Sequence, residues 1–170
     1  MVRAPQAQAR LLKRAQLRAG LRVSEALALE VAYLDLQGDN PTVRVRQGKS
    51  KKPRLVPMYL ELAVGLRNFL DYSNTSRGPI FKTSWSPAGR WVQAASEKAV
   101  GFDLLPPGNH MGPHTLKHSA ARHWLSSGVP LNHVSRCLGH ASIQTTLTYL
   151  EILPETAGYR DQVPEEWPLL

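Results

Sequence analysis

The chain has 170 residues, 42% of them hydrophobic, and its 21 Lys and Arg against 13 Asp and Glu give a formal net charge of +8. This length predicts one domain with a hydrophobic core rather than two, and the charge favours a polyanionic partner. The lone Cys137 excludes an internal disulfide and a cysteine-cluster zinc site. With no apolar run of membrane-spanning length and no signal-peptide pattern, we expect a cytoplasmic protein without a membrane partner.

The first predicted helices begin in a basic part of the chain. Residues 6–19 are strong helix formers ended by Gly20, and Ser24 is expected to cap a second helix over 25–34, which puts Arg22 at the junction. Residues 1–24 contain six basic residues and no acidic one, whereas 151–170 contain five acids and one arginine, a net charge of −4. We therefore expect the nucleic-acid-facing charge to precede residue 149.

A β-hairpin is predicted next. Residues 42–47 alternate, with Val43 and Val45 on one face and Arg44 and Arg46 on the other, and 54–58 form the return strand. The turn between them is basic and carries Lys49 near its tip. Apolar spacing then predicts helices over 59–72 and 87–100, followed by a loop over 101–112.

Three helices are predicted in the C-terminal part, over 113–128, 131–138 and 142–150. In the first, Leu116, Ala120, Trp124 and Leu125 form the buried stripe, and His114 and Lys117 share a face away from it. Gly139 is expected to end the second helix and to leave His140 just beyond it. In the third, the apolar stripe consists of Ile143, Leu147 and Leu150, and Tyr149 projects away from it.

These segments supply the groups needed for chemistry on a phosphodiester. A tyrosine oxygen can attack phosphorus without a metal if cations hold the non-bridging oxygens and a proton donor serves the leaving oxygen. The candidate residues are Arg22, Lys49, His114, Lys117, His140 and Tyr149. Their carboxylate neighbours do not cluster near the histidines, so we expect neither a metal site nor a cofactor.

The order of five segments resembles the tyrosine recombinases, the family of phage integrases and Xer-type enzymes. The segments are GLRVSEALAL (20–29), RVRQGKSKKPRLVPM (44–58), GPIF (78–81), HTLKHSAARHWL (114–125) and LGHASIQTTLTYLEI (139–153). The resemblance implies an α+β, mainly helical catalytic-domain fold with a small antiparallel sheet or hairpin on one side. It also implies a catalytic domain over 1–153 and an acidic tail over 154–170.

The resemblance further implies site-specific recombination of double-stranded DNA through a 3′-phosphotyrosine. Tyr149 would be the nucleophile, Arg22 and Lys117 would hold the non-bridging oxygens, and Lys49 would protonate the leaving oxygen. The remaining implied roles are hydrogen bonding or proton transfer for His114 and His140 and support for Arg22 by Glu25. From the residues alone, His118 is expected to have a supporting role and to bond within the core. The basic run is expected to bind DNA through Arg44, Arg46, Lys51, Lys52 and Arg54. Family members act as homo-oligomers, with a tetrameric synapse on DNA.

Two departures from the family pattern are visible. The family has arginine where this chain has Lys117, and an ammonium lacks the bidentate fork of a guanidinium. Family members also carry a core-binding helical domain ahead of the GLR segment. We expect a catalytic fragment, or a short protein that acts with a partner such as a full-length recombinase, and a tail that docks on a neighbouring protomer or packs on its own domain.

Ordinary structural roles remain open for each residue. Arg22 and Lys49 could be solvated surface cations, His140 a helix-capping histidine, and Tyr149 a hydrogen-bonding tyrosine. In a second interpretation, helices 131–138 and 142–150 form a helix-turn-helix of a non-catalytic DNA-binding protein derived from a recombinase. The two interpretations differ in one geometric expectation, since only an enzyme needs the candidate residues to converge on one pocket.

Overall fold

The computed structural model describes residues 4–46, 53–102 and 112–150. Its elements confirm a mainly helical α+β fold with one small antiparallel sheet. In chain order they are α1 (Ala4–Ala19), α2 (Val23–Leu27), a 3₁₀ turn (Val31–Tyr33), β1 (Leu34–Asp35), β2 (Thr42–Val45), β3 (Arg54–Pro57), α3 (Leu60–Tyr72), α4 (Trp85–Gly101), α5 (Pro113–Ser126), α6 (Leu131–Leu138) and α7 (Gln144–Leu150). None of the helices in these ranges is long and apolar enough to cross a membrane.

The sheet confirms the predicted hairpin and adds a strand. Its order is β1-β2-β3, and β2 pairs antiparallel with β3, with Val43 opposite Val56 and Val45 opposite Arg54. Val43 and Val45 are buried and Arg44 and Arg46 are exposed, as the alternation predicts. Strand β1, which pairs Leu34 with Val43, was not predicted.

The second helix is shorter than predicted. It begins at Val23 and ends at Leu27, and Arg22 rather than Ser24 occupies the N-cap position. The Glu25 carboxylate accepts the Arg22 backbone N–H at 2.8 Å, which satisfies a donor at this helix start. After Leu27 the chain leaves the helix because the backbone of Leu29 and Val31 bonds to Ile80 and Gly78.

The core is built around Trp124, which is fully buried in α5. Helix α1 packs against α5 and α3, and the predicted stripe of α5, which also includes Leu116, Ala120 and Leu125, is buried as expected. Gly20 has a positive φ of 59°, and a Cβ there would lie 2.9 Å from a Trp124 ring carbon and 2.8 Å from Leu138. A glycine is therefore required to bring the start of α2, and with it Arg22, onto this core.

The C-terminal helices follow the prediction except for the buried face of α7. Ser142 accepts the Gln144 N–H at 3.2 Å, as expected of a cap. Ile143, however, is 47% exposed, and Thr146 is fully buried. The predicted apolar stripe is wrong at Ile143 because this residue precedes the seven-residue helix, whose inward position is taken by Thr146.

Candidate active site

The site is organised around the C-terminal end of α6. Gly139 adopts the left-handed conformation (φ 65°, ψ 42°), its N–H bonds to Arg136 O, and the His140 N–H bonds to Ser135 O. This pair of bonds is a Schellman motif, which satisfies two carbonyls of the last turn and turns the chain sharply. The motif places His140 immediately beyond the helix, as predicted.

The next two carbonyls of α6 accept hydrogen bonds from distant cations. Arg54 Nε donates to Cys137 O at 2.7 Å, and Lys117 Nζ donates to Leu138 O at 2.6 Å. Cations are favourable at a helix C-terminus because its unpaired carbonyls carry partial negative charge. The end of α6 therefore fixes one cation from β3 and one from α5 beside His140.

Glu25 joins the arginines into one network. Its Oε1 accepts from Arg22 Nη1 and Arg54 Nη1, both at 3.0 Å, and its Oε2 accepts from the Arg22 backbone N–H at 2.8 Å and Arg54 Nη2 at 2.9 Å. Burial alone would raise the pKa of this carboxyl, but the bonds from Arg54 and Arg22 and the charge of Lys117 outweigh it and lower the pKa. Glu25 is therefore ionised at neutral pH and orients Arg22.

His140 is held as a neutral ring. Its Nδ1 lies 2.8 Å from the hydroxyl of the fully buried Thr146. Burial, followed by the charges of Lys117, Arg22 and Arg54, lowers the pKa of His140 to about 4. A histidine in this state donates or accepts hydrogen bonds at neutral pH without adding positive charge.

The structure brings together five of the predicted residues: Arg22, Glu25, Arg54, Lys117 and His140. The prediction that Lys117 lies away from the core is wrong, since it is 5% exposed. It turns inward because its amine reaches Leu138 O. The expected core position of His118 is also wrong, since this residue is exposed, and its charge contributes to the lowered pKa of His140.

Several predicted residues lie outside the described part of the chain. Lys49, Lys51 and Lys52 belong to residues 47–52, which the structure does not describe. The predicted tail over 154–170 likewise belongs to the undescribed residues 151–170. The backbone of His114 belongs to α5 and that of Tyr149 to α7, three residues after Thr146, but their side chains are outside the described residues.

Arg54 differs from the expectation of a DNA-contacting residue. In β3 its side chain lies on the same face as the buried Val56 and opposite the buried Val45, while Leu55 occupies the exposed face at 55%. The side chain is 10% exposed, and each of its three nitrogens donates to Glu25 or Cys137. Strand alternation therefore turns Arg54 inward, whereas Arg44 on β2 is exposed.

Thr146 is a site residue that the sequence did not single out, and the inward placement of Arg54, like that of Lys117, was not predicted from the sequence. A threonine within a helical segment and an arginine within a basic run are both common at the protein surface, so neither pattern indicates a buried position. Their partners here lie 6 and 83 residues away in the chain. The alternation of β3 was the one available signal, because it places Arg54 two residues before the apolar Val56.

The assembled centre carries an excess of positive charge. Arg22, Arg54 and Lys117 provide three cations and Glu25 one carboxylate, so these described residues leave a net charge of +2 next to the neutral His140. Among the residues that the structure describes, no group of three His, Cys, Asp or Glu could hold a metal ion. The centre is suited to an anion with several oxygens.

The sequence matches the model of the phage integrase family over residues 3–155. It is 33% identical over 156 residues to tyrosine recombinase XerC of Herpetosiphon aurantiacus, covering 86% of this chain and 48% of that protein. It is 36% identical over 140 residues to XerC of Bradyrhizobium diazoefficiens, covering 78% and 42%. The chain thus spans about half the length of the curated relatives it matches.

Solved structures show the same fold. The XerA recombinase crystal structure superposes with a TM-score of 0.69 and 27% identity over 88% of this chain and 60% of that one. The catalytic domain of bacteriophage HP1 integrase superposes with a TM-score of 0.60 and 25% identity, over 85% of this chain and 74% of that one. A post-cleavage complex of XerH recombinase with its difH substrate superposes with a TM-score of 0.71 over 89% of this chain and 44% of that one. The sequence identity is 23%, and this likeness shows the fold alone.

Proposed function

Because the chain belongs to the phage integrase family, we propose that it is the catalytic domain of a site-specific DNA recombinase that works through a 3′-phosphotyrosine. One observation carries the proposal. Arg22, Lys117 and His140, which are distant in sequence, meet at the end of α6 with a net positive charge that a phosphodiester would balance.

In the proposed reaction, Tyr149 attacks the scissile phosphate. A bond forms between the tyrosine oxygen and phosphorus as the bond from phosphorus to the 5′ oxygen breaks. The Tyr149 hydroxyl gives its proton to His114, and Lys49 gives a proton to the 5′ oxygen. Arg22 and Lys117, with hydrogen bonds from His114 and His140, hold the non-bridging oxygens. Attack by a 5′ hydroxyl of a second strand reverses the step and releases Tyr149 as the leaving group. No ATP is needed, because the phosphotyrosine linkage conserves the free energy of the phosphodiester.

The neutral state of His140 defines its part in this reaction. Because its pKa is lowered to about 4, it is not a proton-loaded acid at neutral pH. If the Thr146 hydroxyl donates to Nδ1, the ring carries its proton on Nε2. We assign to Nε2–H the role of donor to a phosphate oxygen, where charge develops in the transition state.

Double-stranded DNA is the proposed partner. Exposed Arg44 on β2 and Arg46 just after it supply phosphate contacts, together with the basic turn that follows. The XerH structures are described as bound to difH substrate, and Tn1549 transposon integrase structures as bound to circular intermediate DNA. By analogy we propose that several copies assemble on the DNA and that the segment over 154–170 docks on a neighbouring protomer. A full-length recombinase is a further proposed partner.

The test uses a pool of nicked duplexes with randomised sequence around the nick, because the target site is unknown. Protein and pool are incubated, denatured and separated by electrophoresis, and DNA that stays attached to protein is sequenced. We expect an adduct whose peptide contains Tyr149 and no adduct from Tyr149→Phe, which lacks only the attacking oxygen. An adduct that persists in Tyr149→Phe contradicts the assignment.

The same experiment separates the enzyme from a non-catalytic DNA-binding protein. Under that alternative, the wild-type chain retards the migration of DNA in a native gel but forms no covalent adduct with any sequence of the pool. The geometry of α6 supports the enzyme, because Arg22, Lys117 and His140 converge at its C-terminal end, and a helix-turn-helix does not need that convergence.

A further inference from the structure

Arg54 is bonded on two sides to the two halves of the candidate site. Toward α2, its Nη1 and Nη2 form a fork on Glu25 at 3.0 and 2.9 Å, and Glu25 in turn holds Arg22. Toward α6, its Nε donates to Cys137 O at 2.7 Å, three residues before His140. One rigid guanidinium therefore spans the arginine side and the histidine side of the site.

This bridge leaves little freedom at either end. The two oxygens of Glu25 accept four hydrogen bonds, which is about what a carboxylate can accept. The α6 carbonyl that Arg54 uses is adjacent to the one that Lys117 uses, so Arg54 and Lys117 together fix the turn that presents His140. A lysine could not replace Arg54, because an ammonium does not provide a planar fork on one side and a third donor on the other.

The electrostatic effect of Arg54 reaches the same two groups. Its hydrogen bond and charge lower the pKa of Glu25, and its charge contributes to the lowered pKa of His140. Both effects keep the centre in the protonation state that the proposed chemistry needs, an ionised Glu25 and a neutral His140. Geometry and charge thus agree on what Arg54 does.

We propose that Arg54 is a positioning residue that couples Arg22 to His140 through Glu25 and the end of α6, rather than a DNA contact. It acts on the reacting phosphate only through the groups that it holds. The catalytic half of this inference rests on the proposed function, while the linkage between Arg22 and His140 is a property of the folded protein alone.

The test compares Arg54→Gln and Arg54→Lys with Arg90→Gln, an exposed arginine of α4 that bonds Ser86 in its own helix and provides a charge-matched control. On DNA recovered from the nicked pool, we measure the single-turnover rate of adduct formation and, separately, the Kd. We expect Arg54→Gln to slow the reaction about a hundredfold through misplacement of Arg22 and His140, with little change in Kd. Arg90→Gln should behave as wild type.

A second measurement does not depend on activity. NMR titration of the His140 ring and the chemical shift of the Arg22 amide report the two ends of the bridge. We expect Arg54→Gln to raise the pKa of His140 from about 4 and to shift the Arg22 amide. Arg54→Lys, which keeps the charge, should hold the pKa near the wild-type value but still shift the amide and recover only part of the rate.

The outcomes separate the inference from the proposed function. If Arg54→Gln forms adduct at the wild-type rate, or weakens Kd as much as it slows the reaction, the positioning role is overturned. If the wild-type chain forms no adduct at all, the proposed function fails, and an unchanged Arg22 amide and His140 pKa in Arg54→Gln would then overturn the linkage as well. Should Arg54→Gln not fold, Arg54→Lys carries the same comparison.

Discussion

The two faces of the β2–β3 hairpin use arginine in opposite ways. On the outer face, Arg44 and Arg46 are exposed to solvent. On the inner face, Arg54 is 10% exposed and bonded through all three nitrogens. Water screens the exposed charges of the outer face, which can still attract DNA. Arg46 also donates to the Tyr33 hydroxyl and lies over its ring. Arg54 is desolvated and held, so its removal would take one of two arginine partners from the buried Glu25 carboxylate.

The largest effect that this comparison predicts is on Glu25. Glu25→Gln removes the charge that neutralises Arg22 and Arg54 within the site, and we expect a loss of about 3 kcal/mol in the free energy of unfolding. Urea denaturation measures it. The matched control is Glu61→Gln, which breaks the ion pair of Arg14 with Glu61, 43% and 61% exposed, and should cost below about 1 kcal/mol. Equal losses would erase the distinction between the two environments.

Acid should destabilise the inner cluster in two steps. The pKa of His140 is about 4 in the folded protein and 6.5 ordinarily, so the folded state binds fewer protons between these values. Stability is full above about pH 6.5 and falls as the pH drops toward 4. The pKa of Glu25 is lowered from 4.5, so its contribution is lost at still lower pH. Denaturation at each pH should show that His140→Asn reduces the loss of stability in the upper window and leaves the lower window unchanged. His123, whose pKa is also lowered by burial and by the charge of Arg18, still contributes to the upper window.

A smaller effect is expected at Lys117. Lys117→Arg keeps a donor for Leu138 O and adds a forked cation, so adduct formation should stay within about tenfold of wild type, roughly 1.4 kcal/mol of barrier. Lys117→Met keeps the length and removes the donor, which leaves the buried Leu138 carbonyl unsatisfied at a cost of about 1–3 kcal/mol. If Lys117→Arg loses as much activity as Lys117→Met, the pocket has adapted to an ammonium.

The smallest effect belongs to the outer face. Arg44→Gln should reduce the slope of log Kd against log salt by about 1, as expected for one lost phosphate contact. Arg54→Gln should leave that slope unchanged, because its guanidinium faces the protein. Fluorescence anisotropy over a salt series measures both variants. A reduced slope for Arg54→Gln would return Arg54 to the set of DNA contacts.

Local patterns in the sequence account for most of the elements and for several of their faces. The alternation of β2, the buried stripe of α5 around Trp124 and the left-handed Gly139 all follow from rules of period and backbone conformation, and all are confirmed. The order of the motifs along the chain is also enough to indicate the family, because it depends on side-chain chemistry at a few positions and not on the rest of the sequence.

The final positions of the polar side chains depend instead on tertiary contacts. The inward turn of Arg54, the burial of Lys117 and the pairing of His140 with Thr146 require carbonyls, a carboxylate and a hydroxyl that the fold brings near. Strand β1 and the early end of α2 likewise depend on partners in β2 and near Gly78. Periodicity reports which residues avoid water, but a buried cation goes where an acceptor is, and acceptors far apart in sequence become neighbours only in the folded chain.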